Sequence, residues 1–332
     1  MVEQDASDLF LKVGTRPHIR LHGTLCPVGD DALSQEEILE VTGHLLSPQQ
    51  RQQFHDAREL NFAFDCTDVG RFRANVLWQR GVVALVIRRI RRGMPSFHAL
   101  HLPEAVLMRW LSELHGVVLV TGPRGSGKST TVASMLEYLN QHTTKHIVTL
   151  EDPIEFQFGE GRAIINQREI GVDTRSFSEG LQNVFRQSPD VLFVSDIRTQ
   201  ETMEAALLAA EAGQLVLSCL HSTNAVTTIE RIVAFFPASQ HRLIRLRLSL
   251  TLRGILSLRL LRRRDGAGRI PVCEIMVVTS AIRELIREGR TAELPPKIHD
   301  GGFEGMQTIT QALDHRYRQG EGTLEEAQRY AD

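Results

Sequence analysis

The chain has 332 residues, 42% of them hydrophobic and 23% charged, with a formal net charge of -2. That length allows two domains or one large one. The composition excludes a disordered or fibrous chain, and the charge balance excludes a globally basic protein that coats nucleic acid.

The start, Met1-Val2-Glu3-Gln4-Asp5, lacks the basic residues and apolar core of a signal peptide. No apolar run approaches the roughly 20 residues of a membrane span, so a cytosolic protein is expected. Residues 9–13 and 18–22 read as strands around the turn Gly14-Thr15-Arg16-Pro17. Ser34 with Glu37 is a capping box that opens a helix, with Ile38, Val41 and Leu45 on one face. Residues 71–78 and 82–90 read as paired strands. Pro95 and Pro103, with Gly93 before them, then mark the boundary between a first domain, 1–94, and a second, 104–332, across a linker at 95–103.

Beyond Pro103 the pattern alternates strand and helix, which implies a mostly parallel sheet. The strands, residues 117–120, 146–150, 191–194 and 215–220, are apolar throughout, as expected when both faces are covered. Residues 242–264 carry arginine without a single acid. They read as a helix face at a subunit contact or, less well for want of aromatics, as a nucleic-acid patch. The four cysteines, Cys26, Cys66, Cys219 and Cys273, are too scattered for a zinc ribbon or disulfide framework.

The stretch Gly122-Pro123-Arg124-Gly125-Ser126-Gly127-Lys128-Ser129 fits G-x-x-x-x-G-K-[ST], between a buried strand and a helix with Val132, Met135, Leu136 and Leu139 on one face. Glycines let successive N–H groups turn towards phosphate oxygens at a positive helix N-terminus. Lys128 then reaches the β- and γ-phosphates, Ser129 takes a place on Mg²⁺, and Thr130 completes the nucleotide-binding set. Only four of the 38 basic residues are lysines, so a lysine here marks a position that needs a compact ammonium.

Three other strand ends carry polar residues, where doubly wound sheets place ligands. They are Glu151-Asp152-Pro153-Ile154-Glu155, Ser195-Asp196-Ile197-Arg198 and His221-Ser222-Thr223-Asn224. Phosphoryl transfer to water requires a carboxylate near the metal and a group that orients the water. Asp196 has the Walker B position, Glu155 suits the water, and His221 suits a sensor of the γ-phosphate. Arg71, Arg73, Arg80, Arg88 and Arg89 cluster late in the first domain, as solvated charges or as arginine fingers towards a neighbouring subunit's nucleotide.

Taken together, these motifs resemble those of the PilT/PilU twitching-motility ATPases, the motors that retract type IV pili. The resemblance covers nearly the whole chain. It includes Ala6-Ser7-Asp8-Leu9, Gly70-Arg71-Phe72-Arg73-Ala74-Asn75 and the P-loop. It continues through Glu151-Asp152-Pro153-Ile154-Glu155-Phe156, which is similar to the family's Asp box, and Leu220-His221 in the region similar to its His box. Ala281-Ile282-Arg283-Glu284-Leu285-Ile286-Arg287-Glu288 is similar to the retraction signature.

The resemblance implies an α/β protein with a PAS-like N-terminal α+β domain and a RecA-like P-loop ATPase domain. It implies ATP and Mg²⁺ as cofactors, ATP hydrolysis, and a homo-hexameric ring in which Arg71, Arg73 and Arg88 approach phosphates. It further implies docking at the cytoplasmic face of the inner membrane on a pilus platform protein, alongside a paralogous pilus ATPase. No nucleic-acid partner is expected. Ser195-Asp196 stands where the family has Gly-Glu, Gln214 where it has the first His-box histidine, and Arg124 where it has a small Thr; these departures bear on turnover more than on binding. Beside the retraction motor, two readings stay open: a nucleotide-binding accessory subunit with weak catalysis, and a RecA-like motor on nucleic acid.

Overall fold

The computed structural model describes residues 1–322 apart from 22–23, 68, 265 and 267. The expected strand end at His22 and residues 323–332 of the second domain lie outside the described residues. The chain divides into two compact units, Met1–Arg92 and Gly93–Asp332.

In the first unit, β1 (Asp8–Lys12), β2 (His18–Leu21), β3 (Thr24–Pro27), β4 (Glu59–Cys66), β5 (Gly70–Gln79) and β6 (Val82–Arg89) form one sheet in the order β3-β2-β1-β6-β5-β4. Every pairing in it is antiparallel. Helices α1 (Gln35–Leu45) and α2 (Pro48–Ala57) each open on a capping box, Ser34 with Glu37 and Ser47 with Gln50. Ile38 and Phe54 from these helices share a core with Phe62, Phe72, Val76 and Leu85 of the sheet. The face expected on α1 is shifted, because Thr42 is buried and Val41 exposed. Thr42 tolerates burial since its hydroxyl donates to the Ile38 carbonyl at 2.7 Å. The unit ends with the two-residue strand β7 (Arg91–Arg92).

The second unit begins at Gly93 and includes residues 95–103, expected as a linker; here Phe97 and Leu102 pack with Trp110 and Val120 in its core. Its strands are β8 (Gly116–Thr121), β9 (His146–Glu151), the short β10 (Phe156–Gln157), β11 (Ile164–Glu169), β12 (Val191–Val194), β13 (Leu215–Leu220), β14 (Leu252–Arg262) and β15 (Arg269–Val277). Seven of them form a sheet in the order β11-β9-β12-β13-β8-β14-β15. All neighbours in it are parallel except β14 and β15.

Strand pleat sends Val117 and Leu119 of β8 to one face and Val118 and Val120 to the other. The first pair packs with α6 (Gln200–Glu211), α7 (Ala225–Ala234) and α8 (His241–Thr251). The second packs with α3 (Glu104–Leu111) and with Val132, Met135, Leu136 and Leu139 of α4 (Lys128–His142). Both faces are covered, which is why the strands read as unbroken apolar runs. Helices α5 (Phe177–Val184), α9 (Ser280–Glu288), α10 (Leu294–Asp300) and α11 (Ile309–Arg318) complete the unit.

The arginine-rich segment is not one helix. It is α8 as far as Thr251 and then β14, seated in the sheet beside β8. Two of its arginines are drawn into local pairs: Arg247 bridges Glu211 at 2.6 Å and Arg253 reaches Glu113 at 3.2 Å.

Candidate functional site

Parallel strands all present their C-terminal ends on one edge, so β8, β13, β12 and β9 deliver their following residues to the same side of the sheet. β8 leads into the glycine loop and α4. Gly122 adopts φ +147°, and a Cβ there would meet the Leu258 carbonyl and the Ser126 hydroxyl. Only glycine lets the loop leave the strand so sharply.

Lys128 is buried, and its Nζ donates to the Gly122 carbonyl at 2.8 Å and the Pro123 carbonyl at 2.9 Å. The ammonium therefore rests on the loop's own carbonyls. Burial lowers its pKa, an effect opposed by the nearby Cys219, Asp196 and Glu155. Nζ also lies 3.4 Å from His221 Nδ1, and His221 Nε2 lies 3.3 Å from Asp196 Oδ2. Burial, followed by the charge of Lys128, pulls the His221 pKa down, so the ring is neutral above its ordinary titration range. The tautomer that satisfies both neighbours carries the proton on Nε2.

Asp196, two residues beyond the end of β12, is 8% exposed. Arg198 Nε donates to its Oδ2 at 2.6 Å, while Oδ1 is buried with no partner among the described residues. The Ser126 hydroxyl is likewise buried and, among the described residues, unpartnered. Pro123, Arg124, His221, Ser222 and Thr223 line a cavity of about 390 Å³ beside these groups.

The β9 end is split in its behaviour. Glu155 is exposed, yet close enough for its charge to act on Lys128. Glu151 is buried and accepts from the Thr149 hydroxyl at 2.6 Å and from Gln167 Nε2 at 3.0 Å. Burial pushes its pKa up to about 7, with the neighbouring Glu155 adding to the rise.

The geometry thus gathers Gly122, Pro123, Arg124, Gly125, Ser126, Gly127 and Lys128 with Asp196, His221 and Glu155. Ser129 and Thr130 stand half-buried in the first turn of α4. Sequence reasoning passed over Arg198 and Glu151. The signal for Arg198 was its spacing of two from Asp196, which in extended chain puts both on one side. Gln214 does not join the group: it precedes β13, at the opposite end from His221, about 20 Å of strand away. Ser195 makes a bond no glycine could, since its hydroxyl accepts from the Asp152 N–H at 3.1 Å.

In the first unit, one row of the sheet reads Arg73–Arg88–Asp8–Arg20 across β5, β6, β1 and β2. Asp8 is 3% exposed and takes Arg88 Nε at 2.7 Å and Arg20 Nε at 3.3 Å. Burial alone would raise its pKa, but the hydrogen bonds from Arg88 and Ser7 and the two guanidinium charges hold it below the ordinary value. Arg71 pairs with Asp65 at 3.1 Å. Arg73 has no hydrogen bond or ion pair among the described residues, and its cross-strand neighbour is another arginine.

A parallel sheet with a glycine loop on a helix N-terminus, and with carboxylate and histidine at adjacent strand tips, defines a P-loop nucleotide-binding protein of RecA-like fold. Residues 56–329 match the family model described as type II/IV secretion system protein. The chain belongs to that family. It is 41% identical over its whole length to the Pseudomonas aeruginosa "Type IV pilus ATPase PilU", covering 87% of that protein. It is 40% identical over 94% of its length to "Type IV pilus retractation ATPase PilT" of the same organism, covering 90% of it. Among solved structures, that of the pilus retraction motor PilT with bound ADP superimposes with a TM-score of 0.93 at 42% identity, spanning 99% of this chain and 94% of that one.

Proposed function

We propose that this chain is an ATP-hydrolysing motor subunit that assembles into a homo-hexamer and powers type IV pilus retraction. The observation that carries the reading is the contact of Lys128 with His221, and of His221 with Asp196, on adjacent strand tips above a P-loop. The named functions of relatives that are near 40% identical over almost the full chain support the same conclusion.

In this reading the backbone from Gly122 to Gly127 cradles the phosphates, and Lys128 exchanges its loop carbonyls for the β- and γ-phosphate oxygens. Ser129 and Asp196 would hold Mg²⁺. The donor set fits the ion, because Asp196 Oδ1 is buried and bare. When bound, it neutralises charge that develops on the phosphates. Glu155 orients the attacking water, and His221 reports the γ-phosphate to Asp196.

Arg73, with Arg71 and Arg88 beside it, serves the nucleotide of a neighbouring subunit. The expected partners are an inner-membrane pilus platform protein and a paralogous pilus ATPase, and the site of work is the cytoplasmic face of that membrane. Among the described residues no helix is long and apolar enough to cross a membrane.

The test is hydrolysis of Mg·ATP by the purified chain and by Lys128→Ala. Turnover in the native chain and its loss in the variant are expected; equal rates would overturn the assignment of the site.

A further inference from the structure

The segment that carries Glu155 leaves β9 and turns back towards β11, and side chains from neighbouring strands hold its backbone. The Asp152 N–H donates to Ser195 Oγ at 3.1 Å, and the Ile154 N–H to Glu169 Oε2 at 3.3 Å. Gln167 Nε2 donates to the Phe156 carbonyl at 2.9 Å, one residue beyond Glu155. The same nitrogen donates to Glu151 Oε1 at 3.0 Å. Both partners of this amide are acceptors, which fixes its orientation.

Gln167 sits directly opposite Thr149 in the β11–β9 register, and the Thr149 hydroxyl donates to the same Glu151 oxygen. Glu151 thus lies at the root of a strap that runs through Gln167 to the backbone beside Glu155. It is 5% exposed, and among the described residues no basic side chain bonds to it. Of the titratable groups around it, Glu155 on its own loop raises its pKa, Glu169 stands directly opposite it in the β11–β9 register, and the Cys219 thiol of β13 is itself pushed up by the Glu151 charge.

We propose that Glu151 is a positioning residue for Glu155, holding the Phe156 backbone through Gln167 when its own carboxylate is ionised and relaxing that hold when it is protonated. An ionised oxygen accepts two strong hydrogen bonds at once; a protonated carboxyl binds both donors more weakly. Burial places the exchange between these states at about pH 7, so the strap tightens and loosens across the neutral range. This inference rests on Glu155 being the water-orienting residue.

The experiment is steady-state Mg·ATP turnover of the full chain from about pH 6 to about pH 8, bracketing the Glu151 titration. ADP affinity is measured alongside, for the native chain, Glu151→Gln, Gln167→Leu and Glu155→Gln. Glu151→Gln keeps shape and acceptor but cannot titrate; its kcat is expected to lose the rise near pH 7 while KM and ADP affinity hold. Gln167→Leu is expected to lower kcat by up to about 100-fold, as a misplaced catalytic group does, at unchanged ADP affinity.

An inactive Glu155→Gln together with a native pH profile in Glu151→Gln, or native kcat in Gln167→Leu, would overturn the strap alone. Full turnover in Glu155→Gln would overturn the reading of Glu155, and the strap with it.

Discussion

Both partners of Asp196 sit on Oδ2, leaving Oδ1 bare inside the protein. An unsatisfied buried acceptor costs about 1–3 kcal/mol, which nucleotide-borne metal and water would offset on binding. Asp196→Asn keeps the shape and removes the charge. It is predicted to retain ADP affinity and lose turnover by about 100-fold or more, the scale on which a single charge-stabilising group acts; equilibrium binding and steady-state kinetics on one preparation check both halves.

Glu151 gives a second prediction, on stability. Its folded pKa of about 7 lies above its ordinary value of 4.5. Its contribution is therefore fully present below 4.5 and is lost as pH rises through 7. At alkaline pH the loss approaches about 3 kcal/mol. Thermal melts of Glu151→Gln should show a smaller fall in Tm between pH 5 and pH 8 than the native chain, a window set by that titration. At this scale the P-loop was plain in the sequence, because its chemistry dictates its residue types. Glu151 was not: an acid at a strand end reads as solvated until Thr149 and Gln167 are seen to enclose it.

Among the elements, β8, β9, β12 and β13 of the second sheet were legible almost to the residue, since a strand covered on both faces writes itself as an apolar run, whereas β11, β14 and β15 were not read as strands. The same property hid β14. Its leucines continue those of α8 without a break, so neither period stands out, and the turn from helix to strand at Thr251 leaves no glycine or proline behind. What fixes β14 is tertiary. Gly254 lies under the indole of Trp110, where a Cβ would strike the ring, and Trp110 is 2% exposed. Gly254→Ala is accordingly predicted to destabilise the second unit by about 1–3 kcal/mol through overpacking. A lowered urea midpoint at unchanged slope is the expected signature. The strand's alternation across β8 could not be inferred from local pattern, because the partner that selects it is more than a hundred residues away in sequence.

For the molecule as a whole, the ring and the arginines of the first unit stand or fall together. Asp8 engages Arg88 and Arg20, but Arg73, next in the row beside Arg88, has no acidic partner among the described residues. Such a guanidinium is cheap to commit to a phosphate, since no existing bond has to break. Head-to-tail contacts that present it to the next subunit close into a ring, and six copies of 37.3 kDa have a mass of about 224 kDa. Lys128→Ala should abolish turnover by emptying its own phosphate cradle. Arg73→Ala should abolish it by emptying the neighbour's, while sedimenting at the same mass. Neither preparation is expected to be active alone. In rings mixed from equal amounts, about a quarter of the head-to-tail contacts join an intact P-loop to an intact Arg73, and turnover should return in that proportion. Were Arg73 to act within its own subunit, every intact cradle would lack its arginine and the mixture would stay inactive at any ratio.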